Sequence, residues 1–114
     1  MSVISLLPAD TYTVVNKSII TEDDRKNIIS LYQPIIGPIA VSLYFTLLND
    51  IRILDYLSID YTHYHLMVTM SSSIETIKKA RESLEGVGLL KTYYKEGDNG
   101  EYSSYTYESF SPSL

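Results

Sequence analysis

The order of elements in the second half of the chain limits the fold more than any other feature of this sequence. A helix from about Ser72 to Glu85 is predicted by a capping-box pattern at its start and by apolar residues at helical spacing, namely Ile74, Ile77, Ala80 and Leu84. A shorter helix, Tyr61–Met70, precedes it. Gly86 can end the longer helix. After it the sequence predicts a β-hairpin, with strands Leu89–Lys95 and Glu101–Glu108 joined by a turn at Glu96–Gly100.

The first half of the chain is predicted to supply a strand and two longer helices. β-branched and aromatic residues predict the strand, and Thr21 with the acids after it predicts the start of the first helix. Pro34 is expected to stop that helix, and Pro38 suits the first position of the second. The predicted bounds are 11–15 for the strand, 22–32 for the first helix, 34–38 for a rigid turn, 38–54 for the second helix and about 55–60 for a loop.

Two short helices joined by a turn and running into a β-hairpin form a helix-turn-helix with a wing. We therefore predict an α+β fold of the winged-helix type, with a C-terminal β-hairpin wing and an N-terminal strand. Winged helices serve both DNA binding and protein association, so the fold alone does not decide the function. The length of 114 residues allows one domain.

The second predicted helix is apolar over a wider arc than a surface helix needs. Its apolar residues cover roughly 200° when each residue advances by 100°, whereas about half of that suffices for a helix on the outside of a small core. Its polar residues Ser42, Thr46, Asn49 and Asp50 share one narrow sector. Two interpretations stay open: the helix runs through the centre of the domain, or the flank formed by Val41, Phe45 and Leu48 meets another subunit.

The charges argue against a domain whose main task is to bind phosphates. The chain has 9 Lys and Arg against 14 Asp and Glu, a formal net charge of -5, and phosphate affinity depends on basic residues. A DNA-binding winged helix would use its second short helix and its wing. Acidic residues are interleaved with the candidate DNA contacts there, which are Lys78, Lys79, Arg81, Lys91 and Lys95.

The tyrosines point to protein association or to packing of the hairpin itself. Of 11 tyrosines, five lie in the predicted hairpin: Tyr93, Tyr94, Tyr102, Tyr105 and Tyr107. Tyrosine is enriched at protein interfaces, and alternation places Tyr93 and Tyr94 on opposite faces. The candidates for an oligomer interface are Tyr12, Val14, Val41, Phe45, Leu48, Tyr93, Tyr94, Tyr105 and Tyr107.

Enzymatic chemistry has no recognisable basis in the sequence. There is no cysteine, so no thiol nucleophile and no Cys-ligated metal. His63 and His65 lie on different sides of the predicted helix, and we expect capping or surface positions for them and no metal site. No glycine-rich phosphate loop or nucleophile motif is present. We expect no enzyme activity and no cofactor.

One segment resembles a known family. The run Leu31-Tyr-Gln-Pro-Ile-Ile-Gly-Pro38 with Ala40-Val-Ser-Leu-Tyr44, the Leu7-Pro8 entry and the exit Ala80–Leu90 is similar to the N-terminal domain of DnaB. This DnaB belongs to the DnaB/DnaD family of replication initiation and membrane attachment proteins of Gram-positive bacteria, and is not the ring helicase of that name. The resemblance covers about residues 6–95.

The resemblance implies a primosomal component that helps to load the replicative helicase during initiation and restart. It implies a homo-oligomer, dimer or tetramer, with three kinds of partner: a DnaD-like protein, the helicase loader and the replicative helicase. DNA would be bound weakly here and mainly by downstream domains, and membrane association would belong to the full-length protein. The expected location is cytoplasmic, at the nucleoid and the membrane periphery. We expect an N-terminal arm with a short strand at 1–20, the winged-helix domain at 21–110 and, at 111–114, the start of a linker to downstream domains.

Overall fold

A four-stranded sheet forms one layer of the molecule, and helices cover one of its faces. The computed structural model describes residues 5–51, 60–98 and 102–112. The strands lie in the order β2-β1-β4-β3, with β1 parallel to β4 and the other pairs antiparallel. Their bounds are Thr11–Asn16 for β1, Tyr61–Thr62 for β2, Leu90–Lys95 for β3 and Ser104–Ser109 for β4. The N-terminal strand β1 is thus part of the same sheet as the two wing strands, β3 and β4.

A row of tyrosines crosses the sheet on the face that the helices cover. The register places Tyr61 beside Tyr12, Tyr12 beside Tyr105 and Tyr105 beside Tyr94, one from each strand. The rings of Tyr12 and Tyr61 are 5.7 Å apart and those of Tyr94 and Tyr105 are 5.1 Å apart. Cross-strand aromatic pairs of this kind stabilise sheets. Most of these tyrosines therefore serve packing within the chain.

The segment around Pro34 differs from the prediction. Helix α1 (Glu22–Asn27) continues through a π-helical turn, Ile28–Tyr32, into helix α2 (Gln33–Ile36), so residues 34–36 are helical and no rigid turn begins at Pro34. Proline is tolerated in a first turn, where its missing N–H costs nothing. The wider π turn, in which the Gln33 N–H bonds the Ile28 carbonyl, lets the chain pass into that turn. The direction changes at Gly37, whose φ of 87° suits glycine.

Helix α3 (Pro38–Asn49) runs through the centre of the core. Its buried residues are Ala40, Val41, Leu43, Tyr44 and Leu47. Of the two interpretations of its wide apolar arc, the structure therefore supports the central helix. The helix ends at Asp50, which is also buried and not part of an exposed polar sector. The helix was predicted to run to Leu54, but Asp50 and Ile51 already lie beyond its last residue, Asn49. Residues 52–54 and most of the predicted loop at 55–60 lie outside the described residues.

The helix-turn-helix and wing follow the predicted order. Tyr61 and Thr62 pair with β1, and helix α4 occupies His63–Met70. Ser71, at a φ of 49°, begins the turn to helix α5 (Ile74–Gly86), and Gly88, at a φ of 79°, leads into β3. β4 begins three residues later than predicted, at Ser104. The predicted α+β winged helix is confirmed. No helix within the described part of the chain is long and apolar enough to cross a membrane.

Candidate functional site

Helix α5 is the element that a DNA-binding winged helix would present. The Ser73 hydroxyl caps it by accepting the Thr76 N–H at 3.2 Å, and Ile77, Ala80 and Leu84 are buried against the core. This packing leaves Lys79 exposed on the outer side, while Lys78 is half-buried beside the N-terminal residues Ser5–Pro8. Only one of the two lysines of this helix is therefore freely exposed to a ligand.

Arg81 is held inside the domain. Its guanidinium lies 5.8 Å from the centre of the Tyr105 ring, and its Nε lies 3.6 Å from the Glu85 carboxylate. Only 14% of the side chain is exposed. Arg81 therefore links α5 to the inner face of the wing, and this position is explained by packing without a ligand.

The two wing lysines lie on the face of the sheet that the helices do not cover. Lys91 and Lys95 alternate with the inward-facing residues of β3 and are exposed, with Lys91 opposite Glu108 and Lys95 opposite Ser104. The Lys91 ammonium lies 5.3 Å from the Tyr93 ring. The structure thus separates the five candidate DNA contacts between α5, the interior of the wing and the outer sheet face.

Five of the nine candidate interface residues are buried within the single chain. Their exposure ranges from 0 to 4%, and they are Tyr12, Val14, Val41, Tyr105 and Tyr107. Assigning them to an oligomer interface is wrong, because a partner cannot reach side chains that the domain's own core encloses. The apolar character that suggested an interface belongs to the central helix α3 and to the inner face of the sheet.

The remaining four candidates stay accessible in two places. Phe45 and Leu48 are half-buried on α3, where the Arg25 guanidinium lies 5.4 Å from the Phe45 ring. Tyr93 and Tyr94 are exposed on β3, by 46% and 38%. The Tyr94 hydroxyl is 3.0 Å from that of Ser103.

Strand β3 has an open edge among the described residues. The Phe110 N–H bonds the Leu89 carbonyl, and pairing runs from Leu90 opposite Ser109 onward. Antiparallel strands alternate the direction of their backbone groups, so the N–H and C=O of Leu90, Thr92 and Tyr94 point away from β4. The Thr92 hydroxyl is buried and has no hydrogen-bond partner. Such an edge is a template for another strand.

Two histidines and two aspartates form a polar cluster near the β2 edge of the sheet, and all of them except the half-buried His65 are buried. His63 is fully buried, which corrects the expectation of a capping or surface position. Its Nδ1 is 2.6 Å from the Asp10 carbonyl and must donate, so its Nε2 accepts the Tyr107 hydroxyl at 2.7 Å. Burial lowers the pKa of His63 and raises the pKa of Tyr107, which keeps both groups neutral.

Asp50 is the second centre of this cluster. Its carboxylate accepts the Tyr12 hydroxyl at 2.6 Å and lies 2.9 Å from His65 Nε2. Burial, followed by the bond to Asp50, raises the pKa of Tyr12. His65 stacks on the Tyr61 ring at 4.4 Å. Every partner in this cluster is accounted for within the chain, and the described residues hold no metal-binding group of three or more His, Cys, Asp or Glu.

Sequence reasoning missed an exposed apolar surface beside α5. Leu31, Ile35 and Ile39 are 51%, 75% and 49% exposed at the corner between α2 and α3. All three lie in or next to the segment that carried the family resemblance. The glycine at position 37 was a signal, because it lets the chain turn and bring these residues to one corner.

Comparison with known proteins places the chain in a family. The model of the DnaB N-terminal winged helix domain matches residues 6–113. The structure is similar to the crystal structure of primosome protein DnaB, residues 1–300, from Geobacillus stearothermophilus, with a TM-score of 0.86 and 38% sequence identity. The match covers 95% of this chain and 40% of that one, so this chain spans less than half of its relative. This chain belongs to the family of DnaB N-terminal winged helix domains.

Proposed function

We propose that this chain is an assembly domain of a primosomal protein acting in DNA replication. The family membership and the primosome protein from Geobacillus support a role in the primosome. In this proposal, the domain joins copies of the protein. The assembled protein then brings a DnaD-like protein, the helicase loader and the replicative helicase together in the cytoplasm, at the nucleoid and the membrane periphery.

The open edge of β3 is the observation that carries the proposal. It lies on the tyrosine-rich hairpin and offers the N–H and C=O groups of three residues, Leu90, Thr92 and Tyr94, to a second strand. The candidate DNA contacts, by contrast, do not share one surface. Association of two copies through β3 would extend the sheet across both, which is a common mode of recognition.

One antiparallel register satisfies this edge in a symmetric dimer. With the two-fold axis at Thr92, each Leu90 faces Tyr94 of the second copy, the two Thr92 backbones pair with each other, and every outward backbone group of these three residues is paired. Lys91 then faces Tyr93 of the second copy. A shift by one residue in either direction places the axis at Lys91 or Tyr93 and sets lysine opposite lysine, which is unfavourable.

A charge placed at Tyr93 tests this register. Tyr93→Lys would face Lys91 of the second copy, so we expect the dimer dissociation constant, measured by sedimentation equilibrium of the whole chain, to rise about ten-fold or more. Adding Lys91→Glu should restore dimerisation by setting opposite charges against each other. Tyr102→Lys, at an exposed tyrosine outside β3, is the matched control. A monomeric wild type, or equal loss in Tyr102→Lys, would contradict the proposal.

The alternative function is contact with single-stranded DNA on the outer sheet face. The line Lys91, Tyr93, Lys95 combines two cations with an exposed ring, as stacking surfaces for single strands do. The same variants separate the two functions. The double variant, Tyr93→Lys with Lys91→Glu, should dimerise normally but lacks both Lys91 and Tyr93. If the outer face binds DNA, this variant should lose oligothymidine binding at low salt.

A further inference from the structure

A groove of about 290 Å³ runs between the α2–α3 corner and helix α5. Its lining comes from two sides: Ile36, Ile39 and Ala40 on one, and Lys79, Ala80 and Ser83 on the other. The turn at Gly37 sets Ile36 of α2 beside Ile39 of α3. Ala40 and Ala80 are small, so the base of the groove is open to a bulky side chain.

Further exposed apolar residues precede the groove residues in the same segment. Ile35, next to Ile36 in the chain, is 75% exposed, and Leu31, four residues before it, is 51% exposed. Exposed apolar patches on a small domain mark interaction sites. The pairing proposed for β3 uses none of these residues, so two copies joined through β3 would still present the groove.

The size of the groove favours a side chain over a cofactor. Small-molecule sites usually have volumes of about 300–1,000 Å³ and several convergent polar groups, and this groove is at the lower limit and mainly apolar. An amphipathic helix placing its apolar residues one turn apart is the common occupant of such a groove.

The positive charge at the groove indicates that the occupant carries a negative charge. Lys79 is the only charged residue among those that line it, and no ion pair involves Lys79 within the described residues. We propose that this groove binds an amphipathic helix of another protein, which inserts a bulky apolar side chain and sets a carboxylate against Lys79. The apolar contact provides affinity, and the ion pair provides the choice of partner.

Two synthetic helical peptides test the proposal. Both carry leucines one turn apart, and one carries glutamates where its twin carries lysines beside the leucine that enters the groove. Titrated into the isotope-labelled domain, the glutamate peptide should shift the backbone amide signals of Ile39, Ala40 and Ala80 and bind about five-fold more tightly than its twin.

Three variants sharpen the result. Lys79→Glu should reverse the preference between the peptides, and Ile39→Asp should weaken both by about ten-fold or more while the spectrum stays that of a folded domain. Lys26→Glu, at an exposed lysine of α1, should change nothing. The proposal is overturned by equal affinity for the twins, by no binding, or by shifts elsewhere. It is also overturned if dilution of the domain alone shifts the groove amides, which would indicate a second copy, or if duplex DNA displaces the glutamate peptide.

Discussion

Strands β1 and β3 are equal in length and similar in composition, yet they have different roles. Each has six residues, with threonine and tyrosine among them. β1 is paired on both sides, by β2 and β4, and its Tyr12 and Val14 are fully buried. β3 has one neighbour among the described strands, and Tyr93 and Tyr94 are exposed. The position of a strand in the sheet, and not its residue types, decides whether a tyrosine supports the core or forms surface.

Truncating one tyrosine in each strand should give the largest contrast. Tyr12→Ala removes a fully buried ring, and we expect it to lower the free energy of unfolding by about 3–5 kcal/mol, as for large aromatic residues in cores. Tyr93→Ala removes an exposed ring and should change it by less than about 0.5 kcal/mol. Urea denaturation at low protein concentration, where self-association does not contribute, measures both. Similar losses in the two variants would show that β3 is as much part of the core as β1.

The contrast also explains what could be predicted from the sequence. The wing and the helix-turn-helix follow from local signals, such as the serines before α5 and Gly86 at its end, although the cap is Ser73 and not the predicted capping box that starts at Ser72. The burial of Tyr12 and Tyr105 does not, because it depends on the parallel pairing of β1 with β4, which joins residues more than 90 positions apart. Alternation alone placed Tyr93 and Tyr94 on opposite faces, but it could not show which strand lies at the edge.

The hydroxyl groups allow a second contrast of moderate size. Tyr12→Phe removes the donor that bonds the buried Asp50 carboxylate at 2.6 Å, and we expect a loss of about 1–3 kcal/mol in the free energy of unfolding. Tyr94→Phe removes only an exposed contact with Ser103 and should cost less than about 0.5 kcal/mol. Both variants keep the ring, so urea denaturation compares the two hydroxyls directly. If Tyr12→Phe proved neutral, the Asp50 carboxylate would have to be satisfied in another way.

The accessible part of the candidate site was only partly predictable for a related reason. Phe45 and Leu48 were identified by their place on an apolar helix, yet Ile35 was not, because Pro34 and Gly37 were interpreted as a rigid turn. A π-helical turn before Pro34 makes the segment helical and turns Ile35 outward. Such a turn depends on the hydrogen bonds around it and leaves no periodic signal in the sequence.

The smallest expected effect concerns pH, and it acts on the β1 side of the sheet alone. Burial lowers the pKa of His63 in the folded domain below its ordinary value of about 6.5, so the unfolded chain binds the proton first as the pH falls. The stability that His63 contributes is therefore complete above about pH 6.5 and is lost below it. For one proton, the slope is at most about 1.4 kcal/mol per pH unit.

Urea denaturation between pH 7.5 and 5.5 should show this slope in the wild type and a smaller one in His63→Gln, which has no imidazole to protonate. His65 and the carboxylates remain in both proteins, so their contributions cancel in the difference. Since His63 bonds Asp10 and Tyr107 and touches nothing on β3 by hydrogen bond, association through β3 should not follow the same pH dependence. Equal slopes in the two proteins would mean that His63 is not held neutral by the folded domain.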